Sequence, residues 1–289
     1  MIRTVALALI ALFAQPAPYR AEIEKFRANR QLEINSETGW NALVGLHWME
    51  PGAHTVGRAA NNGIVLNSAS APPTLGTITV TKTGATLAVA SGVVARSQGK
   101  AVTTVGLTAN APAKAGVTVD KLTLVLIKRG DRFALRVWDA DSPARKAFSG
   151  LKWSPIDPAW RITADWIPHT PAPKAKILNV LGETIQLTNP GAARFSVGGQ
   201  TYTLEAFLEA DDAKELYFII RDGTSGKTTY EAGRYLYTPL AKDGHVTLDF
   251  NRLINPPCAF TTFATCPLPP ASNKLTLSIT AGELKDGHQ

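Results

Sequence analysis

The sequence predicts an all-β protein in which two sandwich-like or barrel-like β parts follow a signal peptide and one short amino-terminal helix. Segments in which apolar and polar residues alternate recur along most of the 289 residues, as expected for strands with one buried face. Glycine and proline are frequent, at 23 and 19 residues, which favours many turns. No amphipathic helix alternates with these segments, so a parallel α/β sheet is disfavoured.

The first 17 residues are typical of a signal peptide. A positive start at Arg3 precedes an apolar run over 5–14, which is too short to cross a bilayer because a spanning helix needs about 20 residues. Ala14 and Ala17 are small enough to precede a cleavage site, so we expect a mature chain that begins near Gln15 or Pro18. The prediction is export to the periplasm or the extracellular space, with no membrane span.

Residues 18–36 are predicted to form the amino-terminal helix. Ile23 and Phe26 lie three residues apart on one face, and charges of both signs alternate around them, as on a partly solvated helix.

Residues 37–145 are predicted to form the first β domain. Its clearest strands are 75–82, 85–91, 121–129 and 132–139, and Gly130-Asp131 provides a short hairpin turn between the last two. The pattern V-G-R-x-x-x-N-x-I-x-L that includes Arg58 resembles the opening of a forkhead-associated β-sandwich. That family uses an arginine at this position to contact phosphate, together with a Ser-x-x-His element. No histidine follows here, so the resemblance implies a sandwich and not phosphopeptide binding.

Residues 146–289 are predicted to form the second β domain, after a proline-rich segment at 141–158 that contains the boundary near residue 145. The segment 170–176 is predicted to be a proline-rich loop. The predicted strands are 161–168, 183–188, 193–197, 200–207, 215–221, 233–237, 246–251 and 274–280.

The second half also carries unusual motifs. They are R-D-G-T-S-G-K-T-T-Y (221–230), G-R-Y-L-Y (233–237), L-D-F-N-R (248–252) and N-P-P-C-A-F-T-T-F-A-T-C-P-L-P-P (255–270). These motifs, with 45–52 and 148–158, resemble the bacterial and archaeal family named domain of unknown function 1684. Ser154 stands where that family has an aromatic residue. The family name assigns no function, so the chemistry must be argued from the residues.

A polar cluster in these motifs is the predicted ligand site. Strand alternation places Asp249 and Asn251 on the face opposite Leu248, and a concave sheet face that also carries Arg234 would line a polar pocket. An anionic or polyol small molecule suits such a pocket. The predicted ligand-binding residues are Arg221, Tyr230, Arg234, Tyr235, Asp249, Asn251 and Asn255.

Three functions remain open at this point. The first is a small-molecule-binding or accessory protein of the cell envelope, with a protein partner in the envelope as a variant. The second is a hydrolytic enzyme in which Asp249 or Asp222 is the general base and Arg234 stabilises developing negative charge. The third is a structural protein whose polar cluster holds the fold together and binds no small molecule.

Several other functions are disfavoured. The net charge of +7 is scattered without long basic runs, so nucleic-acid binding is not expected. The five histidines lack metal-ligand spacing, so no metal and no cofactor is predicted. Cys258 and Cys266 are predicted to form a disulfide if the chain is exported, although two thiols near a reactive centre are the alternative.

Overall fold

The computed structural model describes residues 17–285. The predicted signal peptide lies outside these residues apart from Ala17, where the first helix begins. The chain is mostly β, with three sheets and one long amino-terminal helix, which confirms the predicted all-β class. Residues 17–285 contain two α-helices, α1 (Ala17–Ile34) and α2 (Pro143–Ala147). Neither helix combines the length and the apolar character that a bilayer crossing would need.

Two sheets from the first half of the chain form a β-sandwich. The six-stranded sheet has the order β1-β11-β10-β9-β6-β7, and the five-stranded sheet has the order β3-β2-β4-β5-β8. Buried apolar residues from both sheets, such as Ile78 and Leu135, share one core. The strands are β1 (Leu43–Met49), β2 (Gly52–Gly57), β3 (Ile64–Val65), β4 (Gly76–Val80), β5 (Ala85–Val89), β6 (Ala95–Ser97), β7 (Lys100–Val102), β8 (Thr104–Leu107), β9 (Val117–Val119), β10 (Leu122–Arg129) and β11 (Arg132–Asp139).

The second half forms a third sheet of seven strands. Six strands follow the order β17-β16-β15-β14-β12-β18, and β13 pairs with β14 off this path. The end strands β17 and β18 lie in contact, so the sheet nearly closes on itself around a core that includes Phe218 and Phe250. The strands are β12 (Arg161–Pro168), β13 (Lys174–Leu178), β14 (Thr184–Val197), β15 (Gln200–Leu208), β16 (Glu215–Ile220), β17 (Arg234–Pro239) and β18 (His245–Asp249).

Most strands with strong alternation form where the sequence predicts them. The hairpin of β10 and β11 turns at Gly130-Asp131, where Gly130 has a φ of 56°, which is in the left-handed region that this turn requires. The predicted strands 183–188 and 193–197 are one strand, β14, with an irregularity between Thr188 and Gly191. The predicted loop 170–176 contains the start of β13.

The predicted strand 274–280 is not a strand. Its backbone instead crosses the loop after β16, where Arg221 N donates to Asn273 O and Gly223 N donates to Leu277 O. The carbonyl of Ile279 accepts a hydrogen bond from the Arg234 side chain, so it does not take part in a ladder. Backbone donors of the loop after β16 and the Arg234 side chain therefore take the place of a neighbouring strand.

The forkhead-associated resemblance is not confirmed. Arg58 Nε donates to Ala71 O at 3.1 Å, so this arginine holds the turn that follows β3. The predicted division near residue 145 stays a prediction. The sandwich strands end at Asp139, and the third sheet begins at Arg161.

Candidate functional site

A buried ion pair occupies the centre of the predicted polar cluster. Arg234, the first residue of β17, has no solvent exposure, and its Nη2 lies 2.8 Å from Asp222 Oδ2. The guanidinium also donates to Ile279 O at 2.9 Å and to Ala281 O. Burial lowers the pKa of Arg234, and the Asp222 charge opposes that shift. Arg234 and Asp222 therefore join β17, the loop after β16 and the carboxy-terminal segment, and they do not line an open pocket.

Asp249 and Asn251 belong to a second network. Asp249 is nearly buried, and its Oδ1 accepts hydrogen bonds from the Tyr19 hydroxyl at 2.9 Å and from Asn251 N at 3.2 Å. Asn251 is fully buried and donates to Asp157 O at 2.8 Å. Burial and the Asp249 charge raise the pKa of Tyr19. This network anchors α1 to the third sheet, which differs from the expectation that Asp249 and Asn251 share a pocket with Arg234.

Asn255 links the helix to the carboxy-terminal segment. Its backbone N–H donates to Glu283 Oε2 at 3.2 Å, and its backbone carbonyl accepts from Arg30 Nη2 at 3.1 Å. Glu283 is 1% exposed. Burial raises the pKa of Glu283 to about 7, although the Arg30 charge opposes the shift.

The remaining predicted residues are dispersed. Arg221 has an exposed side chain, and the Tyr230 hydroxyl donates to Cys258 O at 3.1 Å. The predicted disulfide is not formed, because Cys258 and Cys266 are free thiols, with Cys258 N donating to Cys266 Sγ at 3.1 Å. A hydrogen bond from the Cys266 side chain lowers the pKa of Cys258, while the same contact and burial raise the pKa of Cys266.

A large cavity among the described residues lies elsewhere, and we call it the central cleft. It has a volume of about 770 Å³ and is bounded by α1, by β10 and β11, by β16 and β17, and by the loop 254–267. Only Tyr235 and Asn255 of the predicted ligand residues line it. The other lining side chains that matter here are Arg30, Arg129, Arg136, Glu209, Glu215, Tyr217, Tyr237 and Arg252.

Arg136 gives one wall of the central cleft its charge. It lies on β11 with Trp138, on the face away from the sandwich core, and its guanidinium carbon lies 5.6 Å from the Trp40 ring centre. Burial and the Arg129 charge lower the pKa of Arg136 to about 10. Its Nε is buried without a hydrogen-bond partner, and no carboxylate among residues 17–285 forms an ion pair with this side chain. A cationic group in this state is a candidate for binding an anion.

Tyrosines of β16 and β17 form another wall. The rings of Tyr217 and Tyr237 are stacked at 4.9 Å between centres, and Tyr235 packs edge-on against Tyr217 at 5.0 Å. The Tyr235 hydroxyl donates to Pro267 O, and the Tyr237 hydroxyl donates to Glu209 Oε1 at 3.1 Å. Burial is the main cause that raises the pKa of all three tyrosines, so they are neutral hydrogen-bonding groups near neutral pH.

Comparison with known proteins identifies the family of the second half of the chain. The family model described as "Protein of unknown function (DUF1684)" matches residues 146–284. The chain belongs to the DUF1684 family. The matched region contains the tyrosine wall and the loop 254–267 of this DUF1684 protein. The helix α1 and the arginines of β10 and β11 lie before the matched region in the sequence.

One solved structure is similar to this DUF1684 protein. It is the solution NMR structure of an uncharacterized protein of Haloarcula marismortui, at 33% identity and a TM-score of 0.43. The similarity covers 50% of this chain and 82% of the other. No curated protein was found to match the chain. These comparisons assign no ligand and no reaction.

The arginine wall formed by Arg129 and Arg136 is absent from the sites predicted from the sequence, because those predictions did not include the outer face of β11. In R-F-A-L-R-V-W-D (132–139), the alternation that buries Phe133, Leu135 and Val137 in the sandwich leaves Arg136 on the other face. That pattern was the available signal. Within residues 17–285, no group of three or more His, Cys, Asp or Glu side chains is arranged to hold a metal ion.

We predict that Asp222→Asn lowers the free energy of unfolding by about 3–5 kcal/mol, because it leaves the buried Arg234 charge without a partner. Chemical denaturation measures this change. Asp165→Asn is the matched control, since Asp165 forms an exposed ion pair with Arg194 and its loss should cost less than about 1 kcal/mol. Equal costs for the two variants would contradict a structural role for Asp222.

We predict that Glu283 makes the protein less stable as the pH rises from about 4.5 to 7. Its pKa is raised from 4.5 to about 7, so the native state binds more protons than the unfolded state in this window. The loss amounts to about 3 kcal/mol by linkage. Glu283→Gln should remove it in denaturation experiments across pH 4 to 8, while Glu33→Gln, at an exposed partner of Arg30, should not. An unchanged pH profile in Glu283→Gln would refute the prediction.

Proposed function

We propose that this protein binds a small anionic molecule in the central cleft. The observation that carries the proposal is Arg136, a half-buried guanidinium with no ion pair among the described residues and with a pKa lowered by burial. A buried cation is costly when it is unpaired, and an anionic ligand would supply the missing partner. Guanidinium groups bind carboxylate and phosphate oxygens with two parallel hydrogen bonds, so both anion types suit this site.

The cleft also has the form of a small-molecule site. Its volume of about 770 Å³ lies within the range typical of ligand pockets, and its walls combine aromatic rings with a few charged groups. Trp40, Tyr217 and Tyr237 provide apolar surface in the same cleft as the arginines. We therefore keep the anionic ligand that the sequence predicts, and we propose that it binds in the central cleft and not in the polar cluster.

The geometry favours binding over the hydrolase hypothesis. Asp222 and Asp249 do not line the central cleft, and both carboxylates are occupied by hydrogen bonds from neighbouring residues. A general base must reach the proton that it removes, directly or through one water. The structural hypothesis accounts well for Arg234, Asp222, Asp249 and Asn251, and it is compatible with a ligand in the cleft.

Export is a further part of the proposal, and it rests on the amino-terminal sequence. Cleavage after Ala14 or Ala17 would keep Tyr19, whose hydroxyl binds Asp249. We therefore predict a mature chain that begins at Gln15 or Pro18, and amino-terminal sequencing of protein recovered from the envelope fraction tests this. An uncleaved chain retained with the cytoplasm would contradict export.

We predict that Arg136→Met abolishes stabilisation by small anions. An anion present at about a hundred times its dissociation constant should raise the free energy of unfolding of the unmodified protein by about 2.7 kcal/mol. The measurement is a thermal-shift screen of acetate, hexanoate, phosphate and sulfate, with glycerol as the neutral polyol.

The control for this experiment is Arg132→Met. Arg132 lies on the same strand and face as Arg136, but it is exposed and paired with Glu183 at 3.2 Å. We expect Arg132→Met to keep the anion response. An anion response that survives in Arg136→Met, or a response to glycerol alone, would sink the proposed site.

A further inference from the structure

The charges that line the central cleft are incompletely paired. Four arginines and three glutamates contribute, and internal ion pairs account for some of them. Arg30 pairs with Glu33 at 3.3 Å, and Arg252 pairs with Glu22, which lies outside the cleft. Among the described residues, the cleft charges that remain without an ion pair are Arg129, Arg136, Glu209 and Glu215.

These remaining charges are grouped by sign. Arg129 lies on β10 opposite Arg132, on the same sheet face as Arg136, and its Nη1 donates to two neutral oxygens, Asn110 Oδ1 at 3.1 Å and Lys128 O at 2.9 Å. The Arg129 charge contributes to the lowered pKa of Arg136. The charge of Glu183, which is already bound to Arg132, acts on Arg129. Two cations therefore face the cleft from one sheet.

The glutamates lie on the other wall, next to the tyrosines. Burial raises the pKa of Glu209, the Glu215 charge adds to that shift, and the hydrogen bond from Tyr237 opposes it. Glu209, Glu215, Tyr217 and Tyr237 also line an adjoining groove, in which Lys214 is an exposed cation. Like charges held close together beside a cavity are a common property of ligand sites, because a ligand of opposite charge relieves the repulsion.

Tyr217 adds an observation that is independent of the carboxylates. It lines both the cleft and the groove, it is 2% exposed, and its hydroxyl has no hydrogen-bond partner of acceptable geometry within residues 17–285. Its ring is stacked on Tyr237, and the faces of such rings attract cations. This wall therefore combines two carboxylates, aromatic faces and the buried Tyr217 hydroxyl, which together suit an ammonium group.

We propose that the ligand of the central cleft is a zwitterion, such as an amino acid, with its anionic group at Arg129 and Arg136 and its cationic group at Glu209, Glu215 and Tyr237. This inference rests on the proposed function, since it assigns the second charge of the ligand that Arg136 binds. It goes beyond that function by requiring a cationic group on the same molecule.

The test compares two ligand series of two, four, six and eight carbons, ω-amino carboxylates and simple carboxylates. Dissociation constants are measured by calorimetry on the full chain at constant ionic strength. At one or more lengths, the ω-amino carboxylate should bind about two- to fivefold more tightly than the carboxylate of equal length, which is the effect of one exposed ion pair. The double variant Glu209→Gln, Glu215→Gln should lose this preference and still bind the carboxylates.

Glutamine at residue 209 keeps an oxygen that can accept from the Tyr237 hydroxyl, so the fold of the wall is preserved. Lys214→Met is the matched control, and it should keep the preference or strengthen it, because it removes a competing cation. Equal binding of both series at every length, or a preference that persists in the double variant, would overturn the zwitterion. In that case, carboxylate binding that is lost in Arg136→Met would still support the anion site. No binding by any carboxylate, together with no response to phosphate or sulfate in the thermal-shift screen, would refute the proposed function itself.

Discussion

The ion pair between Arg234 and Asp222 is the interaction on which the arrangement of the second half depends. A fully buried guanidinium is tolerated only when a countercharge and hydrogen-bond acceptors surround it. Asp222 supplies the charge, and the carbonyls of Ile279 and Ala281 supply acceptors. The carboxy-terminal segment is therefore fixed across the opening of the third sheet, where Ile279 and Ala281 complete its core.

The position of that segment determines the boundaries of the central cleft. Glu283 follows Ala281 and accepts a hydrogen bond from Asn255 N, while the Asn255 carbonyl accepts from Arg30 of α1. The helix and the loop 254–267 are thereby held against the same sheet, and each contributes residues to the cleft. Gly233, just before Arg234, permits this packing because its φ is 102° and an added Cβ would lie 2.4 Å from Ile220 O. The motif residues thus determine the shape of the cleft, and Tyr235, Tyr237 and the loop 254–267 also line it.

The sequence was sufficient for the fold class and for most strands, because alternation is a local property. The alternation along β17 places Arg234 and Leu236 on the face opposite Tyr235 and Tyr237. The expectation that failed was that the arginine face is open. The sheet nearly closes on itself, so that face became the interior, and the tyrosine face became a wall of the cleft. Closure depends on pairing between strands that are far apart in the sequence, such as β12 with β18, and the alternation within one strand contains no information about its partner.

The difference between a paired and an unpaired charge explains why Arg136 is a stronger functional candidate than Arg234. Arg234 is more buried, but its charge is neutralised by Asp222 and its donors are directed to backbone carbonyls, so a ligand could gain little from it. Arg136 is partly desolvated, with the Trp40 and Trp138 rings nearby and a second arginine acting on it. Aromatic faces stabilise a cation only weakly compared with a carboxylate, so most of its desolvation cost remains uncompensated in the unliganded protein. Binding of an anion there would recover that free energy, which makes the unpaired charge a source of affinity instead of stability.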